Sequence, residues 1–105
     1  MKINFDKEYL RELYEDSRTT DKKYRFQPDI VKRYQARIKT LEKSETIEDL
    51  FRINSLNYEK LHGDKEGLES IRVNDKYRIE FKTTEAVSET VTTICDIIEL
   101  SNHYK

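Results

Sequence analysis

The chain is poor in residues on which several kinds of site depend: among 105 residues it has one cysteine, two histidines, two glycines and no tryptophan. The single Cys95 cannot form an internal disulfide, and its apolar neighbours indicate a small core residue rather than a nucleophile. Two histidines and one cysteine are too few for an unaided zinc site, and no glycine-rich phosphate loop is present. We therefore expect no metal and no cofactor.

A long apolar segment is missing as well. Residues 1–10 contain neither a signal-peptide core nor a membrane span, so we expect a cytoplasmic protein with no membrane partner. The length predicts a single domain over residues 1–105. With 39% charged against 35% hydrophobic residues, its core must be lean. Seven tyrosines and four phenylalanines help to fill that core, because each ring buries a large area.

Charge is almost balanced along the chain but unevenly distributed. The net charge is -1, yet residues 21–43 hold eight Lys or Arg against three Asp or Glu, a net of +5. Such a basic segment is typical of a surface that binds a polyanion. At this point, a solvated helix surface explains it equally well.

The first half of the sequence predicts one strand and two helices. Lys2 to Phe5 alternates polar and apolar residues, as a short strand does, and Asp6 is placed to cap the helix that follows. The apolar stripe of this helix is Tyr9, Leu10, Leu13 and Tyr14. Pro28 suits the first turn of a second helix. The predicted buried face of that helix is Val31, Tyr34, Ile38 and Leu41.

The other side of the second predicted helix is basic. It carries Lys32, Arg33, Arg37, Lys39 and Lys43. A short helical turn is predicted next, with Thr46 as its cap and Asp49 three residues on in a box-like arrangement. Leu50 and Phe51 are its expected anchors.

The second half of the sequence predicts an antiparallel sheet. Leu56 to Leu61 suits a short strand, and Leu68 to Val73 with Tyr77 to Thr83 suits a hairpin around a three-residue turn. Thr84 to Glu89 is polar. Val91 to Leu100 is apolar and β-branched, as a central strand is. The expected fold is α+β, with an N-terminal strand and a two-helix hairpin packed on an antiparallel sheet of about four strands.

Strand alternation has a consequence for two arginines of the hairpin. A register that pairs Val73 with Tyr77 puts Arg72 opposite Arg78 on the face away from the core. Two like charges directly across strands disfavour folding. Either acidic neighbours relieve the repulsion, or the pair is held ready for an anion such as a phosphate. The candidate acidic neighbours are Glu69, Glu80 and Asp96.

Polar side chains flank the hairpin in the sequence. Glu59, Lys60 and His62 precede it, and His103 and Tyr104 follow the last predicted strand. If that strand runs through the middle of the sheet, a carboxylate, an imidazole, an arginine and a tyrosine can converge. Metal-free RNA cleavage needs a base for the ribose 2′-OH, a cation for the phosphorane and an acid for the departing 5′-oxygen. By spacing alone, an ordinary surface pair and a frayed terminus explain these residues as well.

Two stretches of the sequence resemble the HigB branch of the RelE/ParE toxin superfamily. Tyr58 to Asp64, Gly67 and Ser70 to Phe81 are similar to that family's leucine-(basic)-glycine-aspartate loop, its glycine, and its strand pair ending in aromatic-arginine-isoleucine-x-phenylalanine. Ile97 to Tyr104 resembles the family's final strand and polar tail. The resemblance implies a RelE-like, microbial-RNase-like fold and the toxin of a type II toxin–antitoxin system.

The resemblance also implies an activity and a set of residues. It implies ribosome-dependent, metal-independent cleavage of mRNA, and a HigA-like helix-turn-helix antitoxin that alone brings the complex to operator DNA. Arg78 falls at the position of the family's phosphate-stabilising arginine. His103 and Tyr104 resemble the C-terminal His-Tyr of YoeB toxins, whose histidine is the proposed general acid. Glu59 stands where HigB proteins carry histidine and YoeB-like toxins use a glutamate base. The tail order Asn102-His103-Tyr104 departs from the Asp-Tyr-His of HigB, which leaves the acid and base roles open.

The resulting hypothesis assigns catalysis to Glu59, Arg78, His103 and Tyr104. RNA or phosphate binding is assigned to Lys60, His62, Arg72, Lys32, Arg33 and Arg37. Two alternatives remain open: a non-catalytic, gyrase-inhibiting toxin of the ParE type, and an inactive homologue that only binds its antitoxin. The near-neutral charge also departs from the clearly basic ribosome-acting members, since attraction to RNA grows with the number of phosphates neutralised.

Overall fold

The structure, a computed structural model, describes residues 1–102. The strands are β1 (Lys2–Phe5), β2 (Glu59–Lys60), β3 (Glu69–Arg72), β4 (Arg78–Val87) and β5 (Val91–Ser101). The helices are α1 (Glu8–Asp16), α2 (Pro28–Lys43) and α3 (Ile47–Phe51). All five strands form one sheet in the order β1-β5-β4-β3-β2, which confirms the α+β class. Within residues 1–102, no helix combines the length and apolar character needed to cross a membrane.

The sheet has five strands rather than the predicted four, and it is mixed. The N-terminal strand β1 joins the sheet as an edge strand, parallel to β5, with Phe5 beside Ile97. A parallel pair needs a long crossover connection, and here the helices and the other strands supply it. The Asp6 N–H continues the pairing by donating to the Ile97 carbonyl at 2.9 Å. The predicted Asp6 cap is therefore wrong, and Lys7 is the N-cap of α1.

The predicted hairpin register between β3 and β4 is confirmed. The Val73 N–H donates to the Tyr77 carbonyl at 2.9 Å across the three-residue turn. Ile71 then pairs with Ile79, and the next pair toward the turn is Arg72 with Arg78. One face of both strands is consequently buried in the core, as the alternation requires.

Two other strands differ from their predicted length. Residues 56–61 form only the two-residue β2, because just Glu59 and Lys60 pair with β3. Strand β4 continues past Thr83, since the polar segment that follows pairs with β5 as far as Val87 opposite Val91. Strand β5 lies between β1 and β4, which is an interior position, as expected from its apolar character, while β4 is the middle strand.

One hydrophobic core lies between the helices and the sheet. The four stripe residues predicted for α2 are all buried. Tyr34 is fully buried, and its hydroxyl donates to the Leu10 carbonyl at 2.8 Å, which ties α2 to α1. The sheet contributes Ile71, Val73, Ile79, Phe81, Cys95, Ile97 and Leu100.

Helix α3 begins as the capping-box pattern predicts. The Asp49 carboxylate accepts hydrogen bonds from the backbone N–H groups of Glu45 at 2.9 Å and Thr46 at 3.3 Å. These two bonds hold the pKa of that carboxyl below its usual value. Leu50 is buried as expected. Phe51 is 55% exposed and contacts the Tyr58 ring, so it is not the buried anchor that the sequence predicts.

The buried hydroxyl of Tyr34 gives a prediction about stability. Tyr34→Phe removes one interhelical hydrogen bond and should lower the free energy of unfolding by about 1 kcal/mol. Tyr24→Phe is the matched control, because the Tyr24 ring stacks on Tyr9 while its hydroxyl has no hydrogen-bond partner in the described part of the chain. Urea unfolding followed by circular dichroism measures both. Equal losses would contradict the assignment of the effect to the hydrogen bond.

Candidate functional site

The sheet face opposite the core carries two adjacent rows of polar side chains. Cross-strand partners share a face of the sheet, and the strand pairings align each row across three or four strands. The first row is Glu59, Ser70, Glu80 and Glu99. The second row is Arg72, Arg78 and Ser101. Carboxylates and guanidinium groups are therefore neighbours on this face.

Arg78 is the most enclosed cation of the two rows, with 8% of the residue exposed. Its Nε–H donates to the Ser70 hydroxyl at 2.9 Å, and a terminal N–H group donates to the Asn57 carbonyl. Asn57 has φ 43°, a left-handed conformation that asparagine tolerates better than most residues. A buried charge needs fixed acceptors, and these two acceptors set the plane of the guanidinium group.

Glu80 follows Arg78 by two residues on the same face and is 2% exposed. Its carboxylate binds Lys65 Nζ, from the loop that leads to β3. Sequence reasoning named Glu80 only as a neighbour that could relieve repulsion, and it missed Lys65 and Ser70. The alternation of the two strands could have located Ser70. Ser70, Arg78 and Glu80 alternate with core residues, so all three must lie on the face away from the core.

The structure places Glu59 next to this group but not Lys60 or His62. Glu59 pairs with Ser70, the residue that also binds Arg78. Lys60 pairs with Glu69, which belongs to neither polar row, so alternation directs it to the opposite face. Lys60 and His62 instead line a separate cavity of about 450 Å³. His62 is exposed there, with Nδ1 3.4 Å from a Glu66 carboxylate oxygen.

Arg72 is the cross-strand partner of Arg78, yet its guanidinium group has different partners. Its Nε–H donates to the Asn74 carbonyl at 3.2 Å, and a terminal N–H group binds the Asp75 carboxylate in the turn. The acidic residue that meets Arg72 is therefore Asp75 rather than Glu69, Glu80 or Asp96. The structure does not bring Arg72 and Arg78 into one clamp, and it directs Arg72 toward Arg33 on helix α2.

The remaining predicted residues divide into two groups. Lys32 and Arg33 are exposed on α2, and Arg37 is half-buried on the same helix. His103 and Tyr104 lie outside the described residues, so their roles stay predictions. The last residue of β5, Ser101, pairs with Arg78, which puts the end of that strand beside the two polar rows.

The described side chains do not suggest metal or thiol chemistry. Within residues 1–102, no three or more His, Cys, Asp or Glu side chains cluster in a way that could hold a metal ion. Cys95 is buried on the core face of β5, and this burial raises the pKa of its thiol to about 12.

Comparison with known proteins identifies the family. The profile of a family described as RelE-like toxin of type II toxin-antitoxin system HigB matches residues 3–96. The chain belongs to this HigB-like toxin family. It is thus the toxin of a type II toxin–antitoxin system, and an antitoxin is its partner. Among solved structures, a YoeB/ParE toxin from Agrobacterium tumefaciens matches with a TM-score of 0.54 and 22% identity, over 99% of this chain and 100% of that one. That likeness supports the fold. No curated protein sequence matches the chain.

The Ser70–Arg78 bond of this HigB-like toxin can be tested by its effect on stability. Ser70→Ala should lower the free energy of unfolding by about 1–3 kcal/mol, because a buried charged donor loses an acceptor. Ser88→Ala, in the exposed turn between β4 and β5, should change it by less than about 0.5 kcal/mol. In a double-mutant cycle with Arg78→Met, strict additivity of the two losses would refute the coupling.

The buried thiol gives a second prediction for the toxin. Cys95 should not react with a thiol reagent at pH 8 in the folded protein, and should react at once in denaturant. In the unfolded state the thiol ionises near its ordinary pKa of 9.0, but in the folded state its pKa is about 12. The thiol's contribution to folding stability is therefore complete below pH 9 and is lost as the pH rises from 9 to about 12. Rapid native labelling would contradict the placement.

Proposed function

We propose that this toxin is a metal-independent endoribonuclease that cleaves mRNA on the ribosome and so inhibits translation in the cytoplasm. The observation that carries the proposal is Arg78, a nearly buried arginine on the polar face of the sheet, fixed by Ser70 and the Asn57 carbonyl. A preorganised cation is what a developing phosphorane charge requires, since it needs no rearrangement during the reaction.

The other catalytic roles rest on the place of Glu59 beside Ser70 and, for His103 and Tyr104, on the resemblance of the tail to the family. Glu59 is assigned as the base that takes the proton of the ribose 2′-OH, because it is an exposed carboxylate whose pairing partner is Ser70. His103 is assigned as the acid for the departing 5′-oxygen, and Tyr104 as the residue that stacks on or orients a base. Lys60 and His62 lie on a different surface, so they do not take part in the proposed chemistry.

The proposed partners follow from the family and the activity. The antitoxin is proposed to be a HigA-like helix-turn-helix protein, and contact with operator DNA is proposed to occur only through it. The exposed basic side of α2, with Lys32 and Arg33, is proposed to face RNA, because its positive charge attracts phosphates, whereas the chain outside residues 21–43 is net negative.

The proposal predicts the effect of two substitutions on growth arrest. Arg78→Gln and His103→Ala should each abolish arrest after induction, while sequencing of RNA ends shows the loss of new mRNA ends that the parent protein generates. Lys2→Gln, exposed on the edge strand β1, is the matched control and should arrest growth as the parent does. Co-purification with the antitoxin encoded beside the toxin checks that each variant is folded.

Each other outcome decides between the alternatives. Full toxicity of both variants would refute the assigned residues. Growth arrest by the parent without new mRNA ends, accompanied by a DNA-damage response, would favour a gyrase-inhibiting toxin of the ParE type. Expression of the parent without harm, with antitoxin binding retained, would favour an inactive homologue that acts only in the antitoxin complex.

A further inference from the structure

A groove of about 590 Å³ lies between the first turns of α2 and the turn that joins β3 to β4. It is separate from the contacts that hold Arg78, and its lining is mainly polar. The residues that matter for its chemistry are Asp29, Arg33, Arg72, Asn74, Asp75 and Lys76. The groove is therefore bordered by cations from a helix on one side and a hairpin on the other.

Two arginines, Arg33 and Arg72, line this groove, and Arg37 adjoins it. Arg33 and Arg37 are four residues apart on α2 and so lie on one side of the helix, and Arg72 approaches them from β3. The pKa of the Arg37 guanidinium is lowered by partial burial and by the nearby positive charges of Arg33 and Arg72. Among the residues that the structure describes, neither Arg33 nor Arg37 forms an ion pair. Like charges gathered in this way disfavour folding and favour an anionic ligand.

Two aspartates reduce the positive charge of the groove without cancelling it. Asp29 and Asp75 are part of the lining, against Arg33, Arg72 and Lys76, with Arg37 adjoining. Asp75 binds Arg72, but the Asp75 side chain is 91% exposed. Such an exposed pair is worth at most about 1 kcal/mol, so an incoming anion can replace the aspartate at small cost.

We propose that this groove binds a backbone phosphate of the RNA strand beside the phosphate held by Arg78. The inference rests on the proposed function and makes Arg72 part of a second phosphate site rather than of the catalytic clamp. Arg72 and Arg78 are opposite each other in the sheet but diverge, Arg78 toward Ser70 and Arg72 toward α2. One strand is thereby held at two points. Arginine suits both, because its planar fork binds two phosphate oxygens at once.

The salt dependence of RNA binding tests this second site. The probe is a single-stranded 2′-O-methyl RNA of roughly ten nucleotides, which lacks the 2′-OH that cleavage needs. For single strands, the slope of log K against log salt concentration is about -0.7 per phosphate neutralised. Fluorescence anisotropy should show that Arg33→Gln and Arg72→Gln each weaken binding and reduce the slope by about 0.7 in magnitude. Asp75→Asn should strengthen binding, because it removes the competing carboxylate.

Two further variants distinguish an effect of the groove from a general loss of positive charge or of folding. Lys2→Gln makes the same charge change on the exposed edge strand β1, outside the groove and off the basic side of α2, and its slope should equal that of the parent. Arg37→Gln removes one of three like charges, so its unfolding temperature should be unchanged or higher while its RNA affinity falls. A merely structural arginine would give lower stability instead.

The inference is overturned if the arginine variants keep the parent's slope, if Lys2→Gln lowers the slope equally, or if the RNA does not bind. These outcomes are distinguishable from a failure of the proposed function, since the probe cannot be cleaved. Altered slopes in a protein that generates no new mRNA ends would leave the groove assignment standing. Cleavage of mRNA with unchanged slopes would refute the groove assignment and leave the proposed function standing.

Discussion

The three-residue turn between β3 and β4 is the constraint on which the rest of the polar surface depends. By pairing Val73 with Tyr77 it fixes the parity of both strands, so isoleucine side chains enter the core while Ser70 and Arg78 face away. A shift of one residue would exchange the two sets and bury guanidinium groups in an apolar core, which costs far more than any single hydrogen bond returns. The site and the core are thus two results of one register.

Burial of charge on the polar face is the second recurring feature. Arg78 and Glu80 are almost completely enclosed, yet each has a fixed partner from the segment before β3, namely Asn57 and Lys65. Buried ionic groups contribute little net stability compared with apolar side chains of the same size. Their value lies in holding charged groups in one orientation, which is what a site for a phosphate needs. The segment 54–68 therefore supports the site, in addition to giving Leu56 to the core.

The sequence allowed some of this arrangement to be predicted, for identifiable physical reasons. Alternation in the hairpin predicted the register of β3 and β4, and the helical stripe predicted the buried face of α2, since both patterns come from backbone geometry alone. The partners of individual side chains were less predictable. Arg72 bends toward Asp75 and α2 because of tertiary neighbours that no local pattern encodes. The parallel docking of β1 on β5 likewise depends on a contact between distant parts of the chain.

That long-range pairing of β1 with β5 affects how the protein forms. Lys2 lies beside Ile94, so this strand pair joins residues separated by almost the whole length of the chain. Contacts between residues so far apart in sequence slow folding, because the entropy of loop closure is lost before the contact repays it. Strand β5 also supplies Cys95, Ile97 and Leu100 to the core. The interior is therefore incomplete until β5 has joined the sheet.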